Sequence, residues 1–239
     1  QVQASLAEDN AFATFVATLQ FSGADALDTA GQPTFLWNIN PEMAGRPQLI
    51  QGNTQILLGG MGRLSESSIV NIKNKSYAIT ADVDVPKSGA EGVIVAQGGN
   101  TNGWSLYAKG GKLKYCYNFF GITLSFVESA QAIPAGHHQV RMEFKYDGGG
   151  IAKGGGVTLY VDGKAVGQGR IEHSVPMTFS ADETCDIGKE GGSPVSPDYG
   201  PTGNEFSGEV NWVQIDLEKD DHDHLDSPEE RFKIAMARQ

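Results

Sequence analysis

The chain has 239 residues, 39% hydrophobic and 20% charged, enough apolar material for a packed core and too little charge for a disordered polymer. Its formal net charge of −11 disfavours a nucleic-acid partner, because phosphate contacts need clustered Lys and Arg. No apolar run approaches the ~20 residues that cross a bilayer, so no membrane span is expected.

A start at Gln1 fits removal of an export leader and fits trimming equally well, and an extracellular or periplasmic location is the expectation. Residues 1–38 read as an N-terminal arm. In "EDNAFATFVATLQF", Phe12, Phe15, Val16, Leu19 and Phe21 make a helical stripe, while the Thr and Phe content also allows an extended strand. "SGADALDTAGQPT" then breaks the pattern as a loop. The main domain is expected over residues 39–239.

From about residue 54 the pattern is strand after strand. In "SYAITADVDV", Tyr77, Ile79, Ala81, Val83 and Val85 share one face, with Thr80, Asp82 and Asp84 on the other. "GWSLYAKGGKLKYCYNF" predicts a hairpin turning at its Gly pair, and "GGGVTLYVDGKAVGQGRI" a second one turning at Asp162-Gly163. "HHQVRMEFKYDGGG" alternates through Val140, Met142, Phe144 and Tyr146, and "FSGEVNWVQIDL" supplies a last strand. One helix is expected, at about residues 228–237, with Ser227 as cap, Pro228 at its first position and Glu230 closing a capping box. The fold class is therefore all-β: an antiparallel two-sheet sandwich with a short C-terminal helix.

Two cysteines, Cys116 and Cys185, lie 69 residues apart with no zinc-ligand spacing. A disulfide between them and a pair of buried thiols are both open readings. "NKS" at Asn74 matches a glycosylation acceptor, a tripeptide that often arises by chance.

Beyond pattern, "GWSLYAKGGKLKYCYNFFG", "IPAGHHQVRMEFKYDGGG", "VTLYVDGKAVGQGRI" and "FSGEVNWVQIDL" occur in the order found in laminin-G-like and concanavalin A-like jelly-roll sandwiches, which the chain resembles. The stretch from "NPEMAGRPQLI" through "GGMGRLSESSIVNIKNKSYAITADV" to "SPEERFKIAMARQ" is also similar to the C-terminal, non-catalytic region of bacterial arylsulfatases, over roughly residues 40–239. Sulfatases act through a formylglycine made from the Cys or Ser of a C/S-x-P-x-R motif. Here Cys116 is followed by "YNFF", Cys185 by "DIGKE", Ser193 by "PVSP" and Ser196 by "PDYG", so none of them fits. The resemblance implies an accessory, non-enzymatic module whose partner is a carbohydrate or a catalytic sulfatase domain.

Three groups of residues are candidate sites. "DDHDH", Asp220–His224, holds five successive ligand types, and alternation puts Asp221 and Asp223 on one side and His222 and His224 on the other. Against a metal stands a simpler role, acidic residues placed near a helix N-terminus. The Gly/Pro-rich stretch 182–206 offers Asp182, Glu183, Asp186 and Asp198; hard cations want several oxygens from such loops, so calcium at Asp182, Asp186, Asp198, Asp221 and Asp223 is the cofactor expectation. Trp104, Tyr107 and Tyr117 are candidate sugar-stacking rings, although alternation argues that at least half of the local aromatics belong to the core. His137-His138 reads as structural, and no spacing marks a catalytic carboxylate pair.

A non-catalytic lectin-like module is the leading reading. A glycan-active or sulfate-ester hydrolase is the enzymatic alternative. A self-assembling surface protein is the third, in which the arm adds as a strand to a neighbouring copy and makes a homo-oligomer.

Overall fold

The computed structural model describes residues 50–217 except 51 and 181. The arm of residues 1–38, the helix expected at about 228–237, Asp221, Asp223 and the rest of "DDHDH" lie outside the described residues.

Eleven strands form two antiparallel sheets. The first sheet has six: β1 (Thr54–Leu58), β2 (Tyr77–Val85), β7 (Gly136–Tyr146), β8 (Gly155–Val161), β9 (Lys164–Ile171) and β11 (Glu209–Leu217), in the order β1-β11-β2-β7-β8-β9. The second has five: β3 (Gly92–Gly98), β4 (Gly103–Lys109), β5 (Lys112–Phe119), β6 (Thr123–Ala132) and β10 (Cys185–Ile187), in the order β10-β3-β4-β5-β6. One turn of 3-10 helix, Glu66–Ser68, is the helical element among the described residues. This is the antiparallel two-sheet sandwich that the alternation predicts, of the jelly-roll class that the resemblance implies.

The expected faces are the observed ones. Ile79, Ala81 and Val83 on β2, Val140 and Met142 on β7 and Val213 and Ile215 on β11 are fully buried, and so are Leu106, Leu113 and Tyr115 of the other sheet. The hydroxyls of Tyr77 and Tyr115 meet across the core at 2.8 Å, which satisfies two polar groups that burial would otherwise penalise. Both expected hairpins form with two-residue turns whose central residues have positive φ: Gly110 (57°) and Gly111 (82°), then Asp162 (49°) and Gly163 (72°). That is the backbone a two-residue hairpin turn requires.

The chain after β10 does not run straight into β11. It crosses the outer face of the five-stranded sheet, where Val195 and Tyr199 pack on Val93, Ala96, Tyr107 and Cys116 to make a second, small core. Beneath it Glu190, 4% exposed, accepts the Val195 N–H at 3.0 Å and a hydrogen bond from the Tyr199 hydroxyl. The opposite, outer face of the six-stranded sheet is polar but still buried at its centre, where the Arg141 guanidinium donates to Thr80 at 2.7 Å and to Glu143 at 3.0 Å.

Candidate binding cleft

At one end of the sandwich two short segments face each other. The first is the β3–β4 connection, Gly99-Asn100-Thr101-Asn102. Its sequence, four small or polar residues between Gly98 and Gly103, turns tightly: the Gly99 N–H donates to the Asn102 carbonyl at 2.8 Å. Gly99 has no room for a side chain, since a Cβ there would sit 2.5 Å from Ser193 Oγ and 2.9 Å from Glu183 Cγ. Three anchors hold the loop: Asn118 Nδ2 donates to the Asn100 carbonyl at 2.9 Å, Ser193 Oγ accepts the Asn100 N–H at 3.1 Å, and Asn102 Oδ1 accepts the Phe120 N–H at 2.8 Å.

The second segment leads into β10. Ser180 Oγ accepts the N–H groups of Asp182 (3.2 Å) and Glu183 (2.9 Å), a local turn characteristic of Ser. Glu66 carboxylate oxygens accept the Phe179 N–H at 3.0 Å and the Ser180 N–H at 3.3 Å, and Lys73 Nζ reaches the same carboxylate at 2.5 Å. Burial pushes the Lys73 ammonium below its ordinary pKa, and its pairing with Glu66 opposes that.

Between the segments lies a cleft of about 190 Å³, walled by the Gly99–Asn102 loop on one side and Ser180, Asp182 and Glu183 on the other. Glu183 is already committed, accepting the Ser193 hydroxyl at 2.6 Å and its N–H at 3.2 Å. The Asp182 carboxylate and the Asn100 amide nitrogen make no hydrogen bond among the described residues, and the Thr101 hydroxyl has only a long 3.4 Å contact to Asn100. The cleft therefore offers an acceptor-only carboxylate, an amide and a hydroxyl on pre-positioned backbone. No Lys, Arg, His or aromatic residue lines it.

The other residues expected at sites lie elsewhere. Asp186 is 2% exposed, and its carboxylate accepts the N–H groups of Arg63 (2.6 Å) and Gly191 (3.2 Å) and the Thr184 hydroxyl (3.2 Å). Asp198 accepts from Lys114 Nζ at 2.5 Å and the Tyr107 hydroxyl at 2.6 Å. Burial pushes the Asp198 carboxyl upward, but these hydrogen bonds outweigh it and hold the pKa below the usual carboxylate range. Asp182, Asp186 and Asp198 thus serve three separate surroundings. Among the described residues no group of three or more His, Cys, Asp or Glu is arranged to hold a metal.

The aromatic candidates are buried, Trp104 and Tyr117 on one face of their sheet and Tyr107 on the other, under Val195 and Tyr199. Trp104 and Tyr107 are 0% exposed and Tyr117 3%, so none presents a ring face to a ligand. Trp104 donates to Gln97 at 3.1 Å, and the Tyr117 hydroxyl accepts the Val175 N–H at 2.8 Å. His137 Nε2 lies 2.8 Å from Asp82, and His138 Nδ1 lies 2.7 Å from Asp162 in the β8–β9 turn.

The disulfide is excluded by topology. Cys185 lies on β10 and Cys116 on β5, with β3 and β4 between them. At ~4.8 Å per strand the two backbones stand roughly 14 Å apart, where a disulfide needs Cα atoms within ~7 Å. Both thiols are free and buried, and burial pushes the Cys116 thiol up to about 12. Asn74 is likewise a structural residue in this structure. At φ 58° its Nδ2 donates to the Pro176 carbonyl at 2.8 Å and its Oδ1 accepts the Ala152 N–H at 2.9 Å.

No family model matches the chain, and no curated protein matches it. Solved structures do. A heptameric pentraxin from Limulus polyphemus is 15% identical, with a TM-score of 0.39 over 68% of this chain and 75% of its own. The CBM40 module of the Ruminococcus gnavus IT-sialidase, solved with alpha2,3 sialyllactose, is 13% identical, with a TM-score of 0.44 over 74% of this chain and 97% of its own. Domains LG4-5 of the mouse laminin alpha1 chain are 15% identical, with a TM-score of 0.40 over 72% of this chain and 40% of theirs. The likeness is one of fold class. The arylsulfatase resemblance finds no counterpart among family models or curated proteins.

Among the described residues no helix is long and apolar enough to cross a membrane.

Proposed function

We propose that the domain is a non-catalytic, lectin-like binding module that takes an uncharged, hydroxyl-rich ligand, the exposed end of a carbohydrate, in the cleft between Asn100 and Asp182. The observation that carries this reading is a carboxylate, an amide and a hydroxyl converging on one concavity while their backbone is anchored by Asn118, Ser193 and Ser180. A carboxylate accepts two ligand hydroxyls, and an amide both donates and accepts, so this set pairs with neighbouring hydroxyls on one ring. Anchoring in advance lowers the ordering cost of binding. The volume is below the ~300–1,000 Å³ of pockets for drug-sized ligands, which suits one sugar ring rather than a large cofactor.

Charge sets the class. Sulfated, phosphorylated or carboxylated sugars would bring an anion beside Asp182 and Glu183 with no cation lining the cleft to receive it. Neutral glycans are the expected ligands. An array carrying neutral, sialylated and sulfated glycans tests this directly, since retention on neutral glycans supports the reading and retention confined to anionic ones overturns it.

The narrower role, an accessory to a sulfatase, rests on the quoted sequence resemblance. Co-purification with a sulfatase from the native source supports it, and release of sulfate from an aryl sulfate by the purified chain alone overturns the non-catalytic assignment. Export to the cell exterior or periplasm belongs to the same proposal.

A further inference from the structure

The turn between β5 and β6, Phe119-Phe120-Gly121-Ile122, closes with the Ile122 N–H donating to the Phe119 carbonyl at 3.0 Å. Two successive residues in it have positive φ, Phe120 at 53° and Gly121 at 64°. Such a turn favours Asn, Asp or Gly, and a bulky side chain at positive φ is strained because its Cβ crowds the backbone. The edge contact between the Phe120 and Phe119 rings, 4.8 Å between centroids at 81°, returns part of that cost. Strain of this kind persists where the surroundings enforce it, and it gathers at ligand clamps. Ile122, next in the chain, is 75% exposed, more than any other large hydrophobic among the described residues.

The turn is tied to one wall of the cleft. Asn102 Oδ1 accepts the Phe120 N–H at 2.8 Å. Asn118 Oδ1 accepts the Gly121 N–H at 2.9 Å while its Nδ2 donates to the Asn100 carbonyl at 2.9 Å. A Cβ on Gly121 would stand 3.4 Å from that same carbonyl oxygen. Phe120 and Ile122 therefore sit beside the Gly99–Asn102 wall, yet neither lines the cleft itself. From Asn118 to Val127 the chain carries no charged residue, so this flank offers apolar surface alone to a neutral ligand.

We propose that Phe120 and Ile122 form an apolar ledge for the second sugar unit of a glycan whose terminal ring the cleft holds, an inference that rests on the cleft reading above. A neutral sugar ring carries hydroxyls around its rim and C–H bonds on its faces. The carboxylate, amide and hydroxyl of the cleft pair with the rim of the first ring. The ledge packs against a face of the next, where removal of apolar surface from water favours contact with an aromatic and a branched aliphatic side chain. Because the cleft has room for one ring, the ledge is what makes the site read a disaccharide end rather than a single sugar.

Titration calorimetry of the full chain with lactose, cellobiose and maltose, each compared with galactose and glucose, tests this. The wild type should bind at least one disaccharide about tenfold more tightly than its monosaccharides. Phe120→Asn should remove most of that preference and leave monosaccharide affinity within about twofold of wild type. Ile122→Ser, at an exposed position that folding does not depend on, should lower disaccharide affinity about threefold. A wild type without the preference overturns the ledge, and so does a preference that survives both substitutions while Asp182→Ala abolishes binding. Binding of none of the five sugars overturns the cleft reading, and the ledge falls with it.

Discussion

The side-chain amide of Asn118 donates to the main-chain carbonyl of Asn100 at 2.9 Å, tying a buried position on β5 to the loop that forms one wall of the cleft. The same nitrogen reaches the Val195 carbonyl at 3.3 Å, and Asn118 Oδ1 accepts the Gly121 N–H at 2.9 Å. One side chain therefore fixes the loop tip, the strap over the outer face and the turn into β6. Asn118→Leu removes these three bonds and a long 3.5 Å one to the Gly99 carbonyl, and leaves their partners facing an apolar group. The expected cost is about 1–3 kcal/mol of stability, read by urea unfolding, with weaker ligand binding as the loop loosens. A variant as stable as wild type would show that the loop holds itself.

Asp182 is exposed and carries no hydrogen bond to the described residues through its carboxylate, so its removal separates binding from folding. Asp182→Ala should leave folding stability unchanged within the about ±0.5 kcal/mol typical of surface sites, while affinity for a retained glycan falls about tenfold or more. Calorimetric titration measures the affinity.

Glu66 supports the other wall from behind. Its carboxylate neutralises Lys73, whose side chain is 6% exposed, and accepts two backbone N–H groups of the Phe179–Ser180 segment. Glu66→Gln keeps the shape but strands a buried ammonium, for which a loss of about 3–5 kcal/mol is expected. The double variant with Lys73→Met should recover much of that loss, and an absence of recovery would place the damage in the backbone contacts instead.

Much of this molecule is legible in the alternation of its strands. Tyr77 to Val85 reads as a one-sided strand, and Ile79, Ala81 and Val83 are indeed the fully buried row. Both Gly-containing hairpin turns are readable because positive φ favours Gly and Asp at those positions. Strand β6 was not predicted: its outward residues are Leu124 and Phe126, so its apolar pattern points away from the main core. Only one wall of the cleft is legible, through the carboxylates of Asp182 and Glu183. "GGNTNG" carries only turn-forming residues, and its partner wall is 80 residues later in sequence. Asp186 and Asp198 looked like cation ligands because composition cannot tell a carboxylate facing solvent from one saturated by Arg63, Gly191, Lys114 or Tyr107.

Glu190 should make stability depend on pH. Burial raises its carboxyl from 4.5 to about 7, while hydrogen bonds from Tyr199 and Val195 pull the other way. A folded-state pKa above the unfolded one means that the folded protein binds the extra proton. The stabilising contribution is complete below pH 4.5 and is lost as pH rises through 7. Between pH 5 and pH 8 the wild type should lose on the order of 2 kcal/mol more than Glu190→Gln does, measured by urea unfolding at each pH. Parallel pH profiles would show that Glu190 is already ionised in the folded state at pH 5.

The two thiols should be inert in the folded state. A thiol reagent in excess should titrate neither Cys116 nor Cys185 until denaturant is added, and then both, and reductant should leave the melting temperature unchanged. A reductant-sensitive melting curve would contradict the strand order that separates them.

The central claim is that ligand enters between Asn100 and Asp182. The most direct measurement is a two-dimensional amide NMR titration of the full chain with a neutral glycan that the array retains. The account predicts shifts concentrated at Gly99, Asn100, Thr101, Asp182 and Glu183, absent in Asp182→Ala. Shifts centred instead on the outer face of the six-stranded sheet, around Arg141 and Asp82, would contradict it.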